Sequence, residues 1–156
     1  MTILAGRFFG PMLALALLTA CSSNLREVLG EPPQVSLSGL EKHADRVTVE
    51  LAVRNVNDEP LLLNRAAVEL VLDGQPLAAG KRDMALTVSA RGREVIRLPL
   101  PAEPEGLEAL QRLADAQAGR LRWTLQARLV LGSGRERVTD AEGWLYPVPG
   151  QPDRFR

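Results

Sequence analysis

Val47, Val49, Leu51 and Val53 alternate with Thr48, Glu50, Ala52 and Arg54, the period-two pattern of a half-buried β-strand. Val68, Leu70 and Leu72 repeat it, with Val71 breaking the polar side. Met84, Leu86 and Val88 form a third run, and Ile96, Leu98 and Leu100 a fourth. The longest runs from Leu121 through Trp123, Leu125, Ala127 and Leu129 to Leu131. Arg120, Arg122, Thr124, Gln126 and Arg128 fall on its other face. Val35 and Leu37 give a weaker opening strand, and the segment Arg137 to Tyr146 is placed to close a sheet. Turn chemistry separates the runs. Asp73-Gly74 predicts a hairpin, because a type I′ turn needs positive φ at both central residues. Gly132-Ser133-Gly134 and Ala90-Arg91-Gly92 read the same way, and Asn57-Asp58-Glu59-Pro60 reads as a turn or short loop.

One stretch has the helical period. Glu105 to Ala118 puts Leu107, Leu110 and Ala114 on one face, with Leu113 beside them. Pro104 suits the first helical position, Glu105 and Glu108 complement the positive end of the dipole, and Gly119 suits a left-handed exit. The pattern therefore predicts a mainly β protein: an antiparallel β-sandwich of roughly six to eight strands with one short inserted helix.

The first residues differ in kind. Arg7 is followed by an apolar stretch from Phe8 to Leu18, within the roughly 7–15 residues of a signal-peptide core and short of the roughly twenty of a spanning helix. Leu18-Thr19-Ala20-Cys21 then resembles the lipobox of bacterial lipoproteins. The resemblance implies cleavage before Cys21, acylation of its thiol and a lipidated new N-terminus. Each buried methylene contributes about 0.8 kcal/mol, and two or more chains hold firmly. Cys21 is the only cysteine, so no disulfide can form within the chain. Ser22 stands where Asp favours inner-membrane retention in Gram-negative lipoproteins. The expected location is thus the outer membrane, lipid-anchored and facing the periplasm. Ser22 to Pro33 is polar and ends in Glu31-Pro32-Pro33, which reads as a tether. The organisation is a signal peptide over 1–20, a lipidated N-terminus and tether over 21–33, a sandwich domain over 34–148 and a flexible C-terminal tail over 149–156.

The 156 residues are 46% hydrophobic and 24% charged, enough apolar material to bury a core. Nineteen basic residues balance nineteen acidic ones, and aromatics are 4%. No basic stripe or stacking platform marks a nucleic-acid partner.

Val53-Arg54-Asn55-Val56-Asn57, followed by Pro60-Leu61, resembles the LEA type 2 (late embryogenesis abundant) family, which includes the water-stress and hypersensitive-response domain. Val56 stands where that family has proline in Asn-Pro-Asn. The likeness continues through Leu61 to Leu63, Val68 to Leu72, Asp73-Gly74, Leu77-Ala78-Ala79-Gly80 and Val88-Ser89-Ala90-Arg91-Gly92, up to the strand Val95 to Leu100. It implies an antiparallel sandwich of immunoglobulin or fibronectin III type, association with desiccation and other stress, and no catalysis. The family-motif residues Asn55, Asn57, Asp73 and Gly74 are read as structural, since asparagine side chains satisfy turn backbone groups.

Little else suggests chemistry. His43 is the only histidine and sits among Glu41, Lys42 and Asp45 as in a solvated turn. Gly132-Ser133-Gly134 is not a nucleophile elbow, and Gly132 to Arg137 lacks phosphate-loop spacing. Asp140 and Glu142 share a strand face, where an edge-strand solubility role outweighs acid–base work. Arg120, Arg122 and Arg128 form a row that could meet anionic lipid or polymer, against the plainer reading of a solvated sheet face. No metal or cofactor is expected. The expected function is a non-catalytic, membrane-tethered binding or protective module for envelope stress. The alternative is an accessory lipoprotein that captures an envelope protein through a sheet edge. A carrier of apolar ligands would need an open cavity in the sandwich.

Overall fold

A computed structural model describes residues 28–156. The expected signal peptide over 1–20 and Cys21 lie outside the described residues. Among the described residues nine strands and one helix follow in order: β1 (Gln34–Lys42), β2 (Arg46–Arg54), β3 (Leu61–Leu72), β4 (Gln75–Val88), β5 (Arg93–Pro101), α1 (Pro104–Ala114), β6 (Leu121–Leu131), β7 (Glu136–Leu145), β8 (Pro147–Val148) and β9 (Gln151–Phe155). Two antiparallel sheets stack as a sandwich, one ordered β5-β2-β1-β9-β8 and the other β4-β3-β6-β7. The alternating residues of β2 and β6 point inward: Val47, Val49, Leu51 and Val53 meet Leu121, Leu125, Ala127 and Leu129 in one buried cluster.

The bulges in β3 and β1 are not announced by the period-two pattern. In β3 the register shifts between Leu63 and Arg65. Leu63 is buried on one side of the bulge and Ala66, Val68, Leu70 and Leu72 on the other. An extra residue resets the parity, so a segment read as an apolar stretch followed by a strand is one continuous strand. The shift between Leu37 and Gly39 in β1 does the same, turning Leu40 inward after Val35.

Asp73 and Gly74 both have positive φ, 45° and 81°, and close the β3–β4 hairpin as expected. The Ala90–Gly92 turn is different. It carries the chain from one sheet to the other rather than closing a hairpin, and Arg91, not Gly92, takes the left-handed conformation (φ 56°). The helix begins at Pro104 but stops at Ala114. Ala116 (φ 56°) makes the left-handed exit expected at Gly119. Gly106 on α1 lies so close to β4 that a Cβ there would meet Leu77 Cα at 2.5 Å and Pro76 O at 2.7 Å.

The expectation of a flexible tail over 149–156 is corrected. Residues 151–155 form β9, which pairs Leu40 with Phe155 and Glu41 with Arg154. Phe155 is 2% exposed within the core, and Tyr146 and Arg156 exchange backbone hydrogen bonds. Burial of one large aromatic and a free edge on β1 fix a segment whose own sequence shows no alternation.

Candidate functional site

The most elaborate polar arrangement is a knot at one end of the sandwich, where the β2–β3, β4–β5 and β6–β7 connections lie. Asn55, at the end of β2, is completely buried. Its Nδ2 donates to the carbonyls of Glu59 (2.7 Å), Val88 (3.3 Å) and Ser89 (3.1 Å). Its Oδ1 accepts from the backbone N–H and the Nδ2 of Asn57, both at 3.0 Å. The Asn55 N–H reaches Gly92 O and the Arg91 N–H reaches Asn57 O, both at 2.9 Å. Loops from both sheets are thereby tied together, and buried backbone groups find the partners they require.

The knot also holds the incoming chain. Glu31 N–H donates to Asn57 Oδ1 (2.8 Å), and Asn57 Nδ2 donates to Glu31 O (2.9 Å). Val28 N–H donates to Asp58 Oδ2 (2.7 Å), and Asp58 N–H returns a bond to Val28 O (2.9 Å). Arg91 grips the same carboxylate with Nε and Nη2 at 2.6 and 2.9 Å. That guanidinium, helped by the Val28 N–H, holds the Asp58 carboxyl below the usual carboxylate range, and Asp58 raises Arg91 in return. The tether expected over 21–33 therefore does not run free to residue 33: from Val28 onward it is bound to the domain. Sequence reasoning missed Asp58, Arg91 and Glu31, because partners about thirty residues apart leave no local signal.

Asp73 adds a second tie at the opposite end. Its Oδ1 accepts from the Arg122 N–H at 2.8 Å, and its own N–H reaches Arg122 O.

The arginine row is not an unbalanced cationic stripe. Arg120 lies over the Trp144 ring at 3.8 Å, Arg122 pairs with Glu142 at 2.6 Å and Arg128 with Glu136 at 3.9 Å. Thr124 and Gln126 separate the two ends, and Gln126 bonds Asp140. Two shallow troughs of about 510 and 430 Å3 cross this sheet face and share Glu69 and Gln126. His43 is exposed, its Nε2 3.2 Å from Thr48 Oγ1. Among the described residues no three His, Cys, Asp or Glu side chains gather as a metal site, and no helix is long and apolar enough to cross a membrane.

Residues 50–139 match LEA_2, late embryogenesis abundant protein. The chain belongs to the LEA_2 family. That span runs from β2 to β7 and includes Asn55, Asn57, Asp73 and Gly74. The solution structure of AT1g01470 from Arabidopsis thaliana shares the fold, with a TM-score of 0.57, 13% identity, and coverage of 80% of this chain and 88% of that one. A putative late embryogenesis abundant protein, At2g46140.1, is similar at TM-score 0.45 and 12% identity, covering 77% and 75% of the two chains. A protein from Archaeoglobus fulgidus is similar at TM-score 0.43 and 13% identity, covering 76% and 97%. No curated protein sequence matches.

Proposed function

We propose that this LEA_2 protein is a non-catalytic module, anchored by acyl chains on Cys21 to the periplasmic face of a bacterial outer membrane, which protects or binds envelope components during drying or osmotic stress. The observation that carries the reading is a LEA_2 domain over residues 50–139 preceded by Leu18-Thr19-Ala20-Cys21 behind an apolar run. The knot supports it: the chain arrives from the anchor side already fastened to the folded body at Val28 and Glu31. Tethering raises local concentration, so weak contacts become effective without a deep pocket.

The test is a deletion strain complemented with the natural chain or with Cys21→Ser. The natural chain should pellet with membranes, begin at Cys21 and carry the mass of acyl groups. Cys21→Ser should appear in the soluble periplasmic fraction, and only the anchored form should restore survival of drying or osmotic shock. An intact leader and a free thiol on the native protein would sink the anchor. Equal survival with and without the gene would sink the protective role.

A second reading rests on β7. It is an edge of the four-stranded sheet and exposes Val138 and Trp144, a free ladder that a partner strand could extend. One stoichiometric partner captured by cross-linking of envelopes, and lost when Val138→Lys is introduced, would favour an accessory role.

A further inference from the structure

We propose that the end of the sandwich bearing the Asn55–Asn57 knot faces the phospholipid headgroups, while the α1 end points into the periplasm. This inference rests on the lipid-anchored reading of Cys21. Three observations carry it. First, the four hydrogen bonds that join Val28 and Glu31 to Asn57 and Asp58 fix where the chain leaves the body. From Cys21 to Val28 is seven residue steps, which span at most about 25 Å. The eleven-residue β6 alone is about 35 Å long, so the anchor cannot reach the length of the sandwich. Second, this end presents Leu29, 49% exposed, and Leu62, 43% exposed, apolar side chains suited to the headgroup boundary. Third, residues 103–119 around α1 at the opposite end carry Glu103, Glu105, Glu108 and Asp115 against Arg112, with Lys42 of β1 reaching in to Gln111. A carboxylate-rich end is disfavoured beside anionic headgroups by the same field that attracts basic segments. The sheet faces and α1 are thereby left open to a periplasmic partner.

The experiment uses the full chain purified with its acyl groups and reconstituted into phosphatidylethanolamine–phosphatidylglycerol vesicles containing an acceptor-labelled lipid. With Cys21 acylated, Ser133→Cys, in the β6–β7 turn, and Gln117→Cys, after α1, each supply a single free thiol for a donor dye. Both positions are exposed and stand about one strand length apart. Energy transfer to lipid from position 133 should exceed that from position 117 by at least about twofold, given that separation. Asp58→Ala, which removes the carboxylate holding Val28, should narrow the difference, with the thermal midpoint confirming that the variant is folded. Equal or reversed transfer on protein whose mass shows the acyl groups overturns the orientation and leaves the anchor standing. Protein whose mass shows a free Cys21 thiol overturns both.

Discussion

Asn55 illustrates how much a single polar side chain can organise. Itself fully buried, it donates to three carbonyls and accepts from two groups of Asn57. Asn55→Ala leaves buried partners unsatisfied at a cost of 1–3 kcal/mol for a typical group, so urea unfolding should show a loss of about 2–4 kcal/mol. A loss within experimental error would mean that the loops find other partners. The two asparagines were legible in the sequence as turn residues of a strand-end motif. The hold of Asn57 on Glu31 was not, because it is made across 26 positions. Asp58 gives the knot a pH dependence. Its carboxyl is lowered chiefly by Arg91, so its contribution is fully present above the ordinary carboxylate pKa and is lost as pH falls through the lower folded-state value. Hydrogen exchange at the Val28 amide should therefore lose protection as pH drops below about 4. In Asp58→Asn that loss of protection should be absent, and an unchanged profile in this variant would assign the effect elsewhere.

At the scale of elements, legibility followed whether a pattern was local. Strands β5 and β6 bury alternate residues and were readable by period alone, as was β2, which buries Thr48 and Ala52 on its other face as well. The bulge after Leu63 hid the continuity of β3, because parity flips where one residue is added. The C-terminal strand was invisible for a different reason: Pro147 to Arg156 has no alternation, and β9 exists because Phe155 finds the core and pairs with Leu40 across the chain. Phe155→Ala should cost about 3–5 kcal/mol, as for other buried aromatics, and should expose the β1 edge to limited proteolysis. A fully stable variant would show the segment to be an accessory. The helix makes a sharper contrast. Gly106 faces Leu77 Cα and Pro76 O at distances no Cβ tolerates, whereas nothing lies within 4 Å of a Cβ at Gly119. The obstacle at Gly106 is backbone, so Gly106→Ala must lift α1 off β4, at about 1–3 kcal/mol. Gly119→Ala should be neutral to within about 0.5 kcal/mol. Thermal unfolding of Gly106→Ala sets close packing against helix propensity directly, since propensity alone would make it stabilising.

For the molecule as a whole, the two sheets and the helix share one interior. Leu110 and Leu113 of α1, Leu98 of β5, Leu125 of β6 and Phe155 of β9 belong to a single buried cluster, and the knot at one end fastens connections from both sheets. No element has a private core that would outlast the others. The Asp73–Arg122 tie at the opposite end couples the β3–β4 hairpin to β6 in the same way. Unfolding of the Cys21→Ser chain in urea should therefore be a single cooperative transition. Trp123 is 7% exposed against the inner cluster and Trp144 is 46% exposed on the outer face, so the two indoles report from opposite sides of one sheet. Fluorescence of Trp144→Phe, which follows Trp123, should coincide with far-ultraviolet circular dichroism at every urea concentration, with a slope of about 1–3 kcal/mol/M. Helix loss that precedes the Trp123 signal would show that α1 melts as a separate unit. In that case the acidic end carrying Glu105 and Glu108 would be free to rearrange around a partner while the β-sandwich stays folded.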